Sequence, residues 1–184
     1  MAGPPSPDAP AASSTAASAP AAGSALDRFL QERGWTGPVS EGGESSDWLT
    51  PVRDGARRMV HSAMGFLGVP YVRGGNTVDQ GLDCSGFTRL IFEKTIGMVL
   101  PRRAEEQARL SSLLTVPREQ LKPGDLVFFN TMRRTFSHVG IYVGEGKFIH
   151  APRSGAVVRV EDLRDAYWSK RFTGARRAPT ATTP

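Results

Sequence analysis

Asp83-Cys84-Ser85-Gly86-Phe87-Thr88-Arg89-Leu90-Ile91-Phe92-Glu93-Lys94 is the stretch on which the reading of the fold turns. An acid is followed by small residues and then by an apolar run that places Phe87, Leu90 and Ile91 on one helical face. The pattern predicts a helix over 84–94 with Asp83 as its N-cap, the carboxylate accepting from amides of the first turn. Cys84 then sits in that first turn, where exposed amides and the helix dipole favour a thiolate. It is the only cysteine among 184 residues. An internal disulfide and a multi-thiolate zinc site are therefore excluded, which leaves a small core residue or a nucleophile.

Upstream of this helix the spacing of Ala56, Met59, Val60, Ala63 and Phe66-Leu67 predicts another, stopped by Gly68, with His61 on its outer face. A turn-rich stretch through Gly81 connects the two. Downstream, Pro101 to Leu114 reads as a helix with Gln107, Leu110 and Leu114 inward. The period then changes to that of strands, at 125–129, 138–143, 147–150 and 156–160, with Glu145-Gly146 as a short hairpin turn. Helices first and an antiparallel meander afterwards is an α+β layout.

Two of the three histidines fall in the strands. His138 opens one and His150 ends the next, so both lie toward the same end of the predicted hairpin. A thiol needs a base and the base needs an orienting partner, and His138 and His150 can supply these roles. A lone histidine beside an apolar strand is also an ordinary edge residue. The backbone amide of Cys84 can donate to a developing oxyanion, and Ser85-Gly86 keeps the approach small. A metal site is disfavoured because no third ligand is suitably spaced from His138 and His150.

Composition bounds the rest. Residues 1–25 are almost entirely Ala, Pro, Ser, Thr and Gly, and read as a disordered tail that cannot repay its ordering entropy. They lack the basic start and apolar run of a signal peptide. No segment reaches the roughly 18 apolar residues of a membrane span. Residues 26–54 read as a short helix, Leu26 to Gly34, and a Gly/Ser/Glu-rich linker with Trp35 and Trp48 as its large anchors. The catalytic unit is expected over 55–178, with 179–184 disordered. Seven acids against three bases give residues 1–54 a net charge of −4, and eleven acids against twenty bases give the remainder +9. A basic domain is drawn to polyanions. The arginine pairs are not interleaved with stacking aromatics, so nucleic acid is not the expected one.

The segments Gly68-Val69-Pro70-Tyr71, Gly74-Gly75, Asp83-Cys84-Ser85-Gly86-Phe87, Leu100-Pro101-Arg102, Gly124-Asp125-Leu126-Val127-Phe128, His138-Val139-Gly140-Ile141-Tyr142 and Phe148-Ile149-His150-Ala151 occur in the order expected of the NlpC/P60 peptidoglycan peptidases. Tyr167-Trp168-Ser169-Lys170-Arg171-Phe172 resembles the end of the Spr-like murein endopeptidase branch. Seven ordered motifs make the resemblance specific, where any one alone is weak. It implies a papain-like fold, with N-terminal helices packed on the meander. It also implies Cys84 as nucleophile, His138 as base and His150 as the orienting third residue.

In that frame Tyr71 matches a tyrosine whose hydroxyl faces the active site. Asp83, Ser85 and Arg102 are further candidates for the oxyanion or substrate region. Arg102 could bind a substrate carboxylate or cap its own helix, and Asp83 is first of all a cap. Arg73 departs from the Trp or Leu common near its place, and Asp125 reads as a turn residue. The implied substrate is an amide bond in peptidoglycan involving meso-diaminopimelate, either the D-alanyl cross-link or the bond after D-γ-glutamate. No cofactor is expected. The implied setting is the bacterial envelope, periplasmic or outer-membrane associated, for a monomer whose export signal has been removed. An envelope regulatory protein or protease is a candidate partner. A binding domain without activity and a secreted antibacterial toxin remain as rival readings.

Overall fold

The computed structural model describes residues 50–179, with side chains from residue 54. The expected tail, the helix over 26–34, Trp35, Trp48 and the last residues of the C-terminus lie outside these. Among the described residues no helix is long and apolar enough to cross a membrane.

Helix α1 spans Thr50–Met64. Its Met59, Val60, Ala63 and Met64 are buried, while His61 faces outward. The helix ends before Phe66, short of the predicted stop, and Gly68 takes a left-handed φ of 83° in the turn that follows. Leu67 is consequently exposed rather than part of the helix face. Two short strands, β1 (Asn76–Thr77) and β2 (Gly81–Leu82), pair antiparallel and lead into the decisive helix.

That helix, α2, spans Cys84–Ile96. Asp83 caps it, with Oδ1 accepting from the Gly86 amide at 2.7 Å. Gly97 closes it in the left-handed region at φ 69°, donating its amide to Glu93 O. Phe87, Ile91 and Phe92 are fully buried, together with Thr88. Leu90 is only half-buried, so the apolar face is turned slightly from the predicted one.

The helix expected over 101–114 is short. Helix α3 covers Ala104–Arg109 alone, and the chain then turns into strand β3, Leu114–Val116. Gln107 is inward as expected, but Leu110 is half-buried and Leu114 is 58% exposed. The run of apolar residues there serves a turn and an edge strand, and short apolar runs do not distinguish the two by period.

The remaining strands are β4 (Leu126–Phe129), β5 (His138–Gly144), β6 (Lys147–His150), β7 (Arg159–Asp162) and β8 (Phe172–Arg177), with a one-turn helix α4 (Ala166–Ser169) before the last. They form one antiparallel sheet in the order β3-β8-β4-β5-β6-β7. Strands β4 to β7 are the predicted meander. Strand β8 returns from the far end and inserts between β3 and β4, a long-range pairing that local pattern does not disclose. The strand predicted at 156–160 begins at Arg159, because Val157 is engaged in an isolated bridge with Pro70. The β5–β6 turn is Glu145-Gly146, both with positive φ, as a twisted two-residue hairpin requires.

Helices α1 and α2 pack on each other and both reach β5. A buried cluster of Val116, Val127, Phe129, Phe148, Leu163, Trp168 and Ala175 draws together strands β3, β4, β6 and β8 and helix α4. This is the α+β architecture of helices followed by an antiparallel sheet.

Candidate active site

The site is built where the first turn of α2 meets the first residues of β5. Cys84, a free cysteine with some remaining exposure, stands at the start of α2. The backbone amides of Val139 and Ser85 donate toward its sulfur. That contact brings the beginning of β5, the strand that opens with His138, to the first turn of α2. Burial is the largest influence on Cys84 and pushes it up to about 11, with the Asp83 carboxylate adding to the effect and the two amides opposing it. The thiolate expected from the helix terminus is thus not the resting form. Desolvation outweighs the amides here.

His138 and His150 are both buried, at 4% and 0% exposure, and meet through Nε2 and Nδ1 at 2.7 Å. Burial lowers the pKa of each, well below the ordinary value for His138. Two neutral rings therefore share one hydrogen bond. Nε2 of His138 is engaged with His150, so its Nδ1 is the ring nitrogen available to another proton donor.

Sheet geometry explains how the rings meet. Phe129 pairs with His138, and Ile141 pairs with Ile149. His138 and Gly140 point to one face of β5, as alternation demands. Gly140 has no side chain to separate the imidazoles. A Cβ there would stand 2.8 Å from Ile149 O and 3.1 Å from the His150 Cβ. Trp168 lies stacked with the His138 ring at 5.7 Å and edge-on to His150 at 5.0 Å. Phe129 and Phe148 complete the aromatic wall.

Glu161 joins the site although no sequence motif marks it. Its Oε2 lies 2.7 Å from His150 Nε2, and its Oε1 lies 2.6 Å from a nitrogen of Arg159. Burial opposes ionisation of Glu161, but the His150 hydrogen bond and Arg159 prevail and its pKa is lowered. Glu161 lies just beyond the expected strand at 156–160 and beside a second acid, Asp162, so no local pattern singles it out. Trp168 was legible only as a family motif.

Asp83, Ser85 and Arg102 come together, but with one another. Arg102 donates to both Asp83 oxygens, at 2.9 and 2.6 Å, to Ser85 Oγ at 2.9 Å and to Gly75 O at 3.3 Å. Ser85 Oγ in turn donates to Asp83 at 3.2 Å, and the Gly74 amide donates to Asp83 at 3.1 Å. The hydrogen bonds to Asp83 hold the Arg102 pKa above its ordinary value. Arg102 does not cap its own helix. The N-cap of α3 is Arg103, whose amide donates to Glu106 at 3.3 Å, and Arg102 reaches across to the cap of α2 instead. A side chain at Gly86 would run into Gly75 O, so the glycine pair and the helix start are fitted to each other.

Gln107 supports α2 from below. It donates to Ser85 O at 3.0 Å and accepts from Thr88 at 2.8 Å. Tyr71 bridges to Leu82 beside the cap. Its half-buried phenol is held above its ordinary pKa by burial, then by the charges of Cys84 and Asp83, so it lies within electrostatic reach of the sulfur. Asp125 does more than turn the chain. It is buried and takes two hydrogen bonds of 2.7 Å from Arg177, which locks β8 to the start of β4. Among the described residues no three His, Cys, Asp or Glu side chains converge where a metal ion could be held.

A cysteine at a helix start, packed against an antiparallel sheet that carries histidines, is an arrangement that suits a cysteine hydrolase. The chain belongs to the NlpC/P60 family, whose model matches residues 68–177. It is similar to the gamma-DL-glutamyl hydrolase of Bacillus subtilis, 42% identical over 127 residues that make up 68% of this chain and 30% of that protein. It is also similar to the murein DD-endopeptidase MepH of Escherichia coli, 38% identical over 133 residues, 72% of this chain and 49% of that protein. The chain thus spans half or less of the length of these relatives. Among solved structures, the NlpC/P60 domain of the peptidoglycan hydrolase SagA is 33% identical with a TM-score of 0.57, and the match covers 66% of this chain and 97% of that one.

Proposed function

We propose that this protein is a peptidoglycan endopeptidase that hydrolyses amide bonds of murein stem peptides or cross-links through a cysteine acyl-enzyme. The observation that carries the reading is the His138–His150 hydrogen bond of 2.7 Å on a strand whose next amide touches the Cys84 sulfur. The names of the relatives supply the substrate class.

The chemistry follows from the resting protonation states. Cys84 is a neutral thiol and His138 a neutral imidazole. As sulfur attacks the scissile carbonyl, the thiol proton passes to His138 Nδ1, and an ion pair exists only from that point. The carbonyl oxygen becomes an oxyanion. The Cys84 amide, which as the first helical N–H has no intrahelical acceptor, donates to it, assisted by the Tyr71 hydroxyl. Collapse of the tetrahedral adduct breaks the C–N bond, and His138 gives its proton to the leaving amine. Water then attacks the thioester with His138 as base, releasing the acid and restoring the thiol. His150 holds the His138 ring in place throughout. Asp83, Ser85 and Arg102 brace the first turn of α2, and with it the nucleophile.

In this reading the scissile bond involves meso-diaminopimelate, either the D-alanyl cross-link or the bond after D-γ-glutamate, and a relative named as a murein DD-endopeptidase supports a bond within the wall. The site of action is the bacterial cell envelope, and the basic domain suits a substrate rich in carboxylates. Activity of Cys84→Ala and His138→Asn on one defined cross-linked muropeptide tests the assignment. Both variants fold and neither turns over. Cleavage by either at near the wild-type rate sinks it.

A further inference from the structure

Behind the two histidines the sheet carries one more group. His138 on β5, His150 on β6 and Glu161 on β7 form a diagonal line across three adjacent strands, joined by two hydrogen bonds of 2.7 Å each. We propose that Glu161 is a positioning residue that dictates which nitrogen of each histidine carries its proton, with Arg159 fixing the carboxylate for that task. The proposal rests on the reading of Cys84 and His138 as nucleophile and base.

Donors and acceptors must match along this line. An ionised carboxylate can only accept. His150 must then donate to Glu161 from Nε2. A neutral imidazole has a single N–H, so Nδ1 of His150 is bare and must accept. Only His138 Nε2 faces it, so that nitrogen carries the proton. His138 Nδ1 is left bare, which is the form a base for the thiol needs. One charge on β7 thus sets the direction of both hydrogen bonds. Without it the pair is free to run the other way, with His138 Nδ1 protonated and unable to accept.

Arg159 pairs with His150 in the strand register and binds the far oxygen of Glu161 at 2.6 Å. It leaves Oε2 for His150. Phe148, opposite Glu161, and Trp168 close the sides of the line, so the buried nitrogens face few alternative partners.

Glu161→Gln turns this into a sharp test. Arg159 can only donate, so it claims the amide oxygen of the glutamine and turns the NH₂ toward His150. His150 Nε2 must then accept, Nδ1 carries the proton, and the direction of the whole line reverses. The shape of the site is unchanged. A wrong tautomer in such a line costs up to about 10⁴-fold in kcat. In Arg159→Ala/Glu161→Gln the amide can rotate and the original direction is available again.

The full-length protein is labelled with ¹⁵N-histidine, and its imidazole spectra are recorded alongside kcat and KM on a defined cross-linked muropeptide. With three histidines in the chain the spectra are assignable by single substitution. The expected wild-type result is protonation at Nε2 for both His138 and His150. In Glu161→Gln both move to Nδ1, kcat falls about 10²–10⁴-fold, KM changes little and the melting temperature stays within a few degrees. The double variant recovers at least about tenfold of that loss. The proposal is overturned if either wild-type ring carries its proton at Nδ1, a result that needs no variant to fold. It is also overturned if kcat of Glu161→Gln stays within about threefold of wild type, or if the double variant is no better than the single. Inactive Cys84→Ala and His138→Asn beside a fully active Glu161→Gln would leave the base assignment standing and remove this inference alone.

Discussion

Arg102 grips Asp83 through both ends of its guanidinium, Nη1 to Oδ1 at 2.9 Å and Nη2 to Oδ2 at 2.6 Å, while the same carboxylate caps the helix that begins with Cys84. A bidentate arginine fixes orientation as well as charge. The arginine that sequence offers as a substrate ligand is therefore engaged with the cap of the helix that begins at Cys84. Arg102→Ala should destabilise the fold by about 1–3 kcal/mol, discounted because the side chain is partly in solvent. Thermal melting and steady-state kinetics check this. The expected pattern is a lower melting temperature and reduced kcat. An unchanged melting temperature with a raised KM would return Arg102 to the substrate.

Gly140 is needed for what it lacks. Gly140→Ala puts a methyl group against Ile149 O and the His150 Cβ, within a sheet that cannot give way on one strand alone. Activity should fall at least about tenfold, because the displaced ring loses its 2.7 Å contact with His138. The melting temperature should fall as well. Wild-type activity in this variant would show that the histidine contact is dispensable.

His150 must accept from one neighbour and donate to the other, which an amide can do and a methyl group cannot. His150→Asn should retain more kcat than His150→Ala. Equal loss in the two variants would mean that His150 carries protons rather than orients.

The resting thiol is neutral, with burial pushing Cys84 up to about 11 from an ordinary 9.0. The rate of alkylation by iodoacetamide should accordingly keep rising with pH beyond 9.0, toward a midpoint near 11. A midpoint near neutrality would indicate a preformed ion pair. Linkage gives an independent check. The folded state holds the proton to higher pH than the unfolded chain. The stabilising contribution is complete below pH 9.0 and is lost as pH rises toward 11. Cys84→Ala should therefore lose less stability than wild type across that window. His138 titrates below its ordinary 6.5 because it is buried, so the acid limb of kcat/KM should fall below that value.

Sequence disclosed the parts of this site whose geometry is local. Asp83 reads as a cap and Cys84 as the first helical residue because both depend on a few consecutive residues. The Glu145-Gly146 turn brings His138 and His150 to one end of a hairpin for the same reason. What was hidden depends on pairing between distant segments. Glu161 joins the site only through the β6–β7 register, and Trp168 only through the return of the chain before β8. The fate of Arg102 follows from a contact across 19 positions that nothing in the Leu-Pro-Arg motif announces. Helix-end electrostatics, which favour a Cys84 thiolate, are visible in sequence, whereas the burial that opposes it is not.

As proposed, this cysteine site cuts the peptide part of the bacterial wall. Purified sacculi are digested with the full-length protein and with Cys84→Ala, and the released products are identified by mass. New amine and carboxyl ends are expected within stem peptides or their cross-links, at a bond to diaminopimelate, and none with Cys84→Ala. Glycan strands stripped of intact stem peptides, or equal release by the alanine variant, would contradict the proposal.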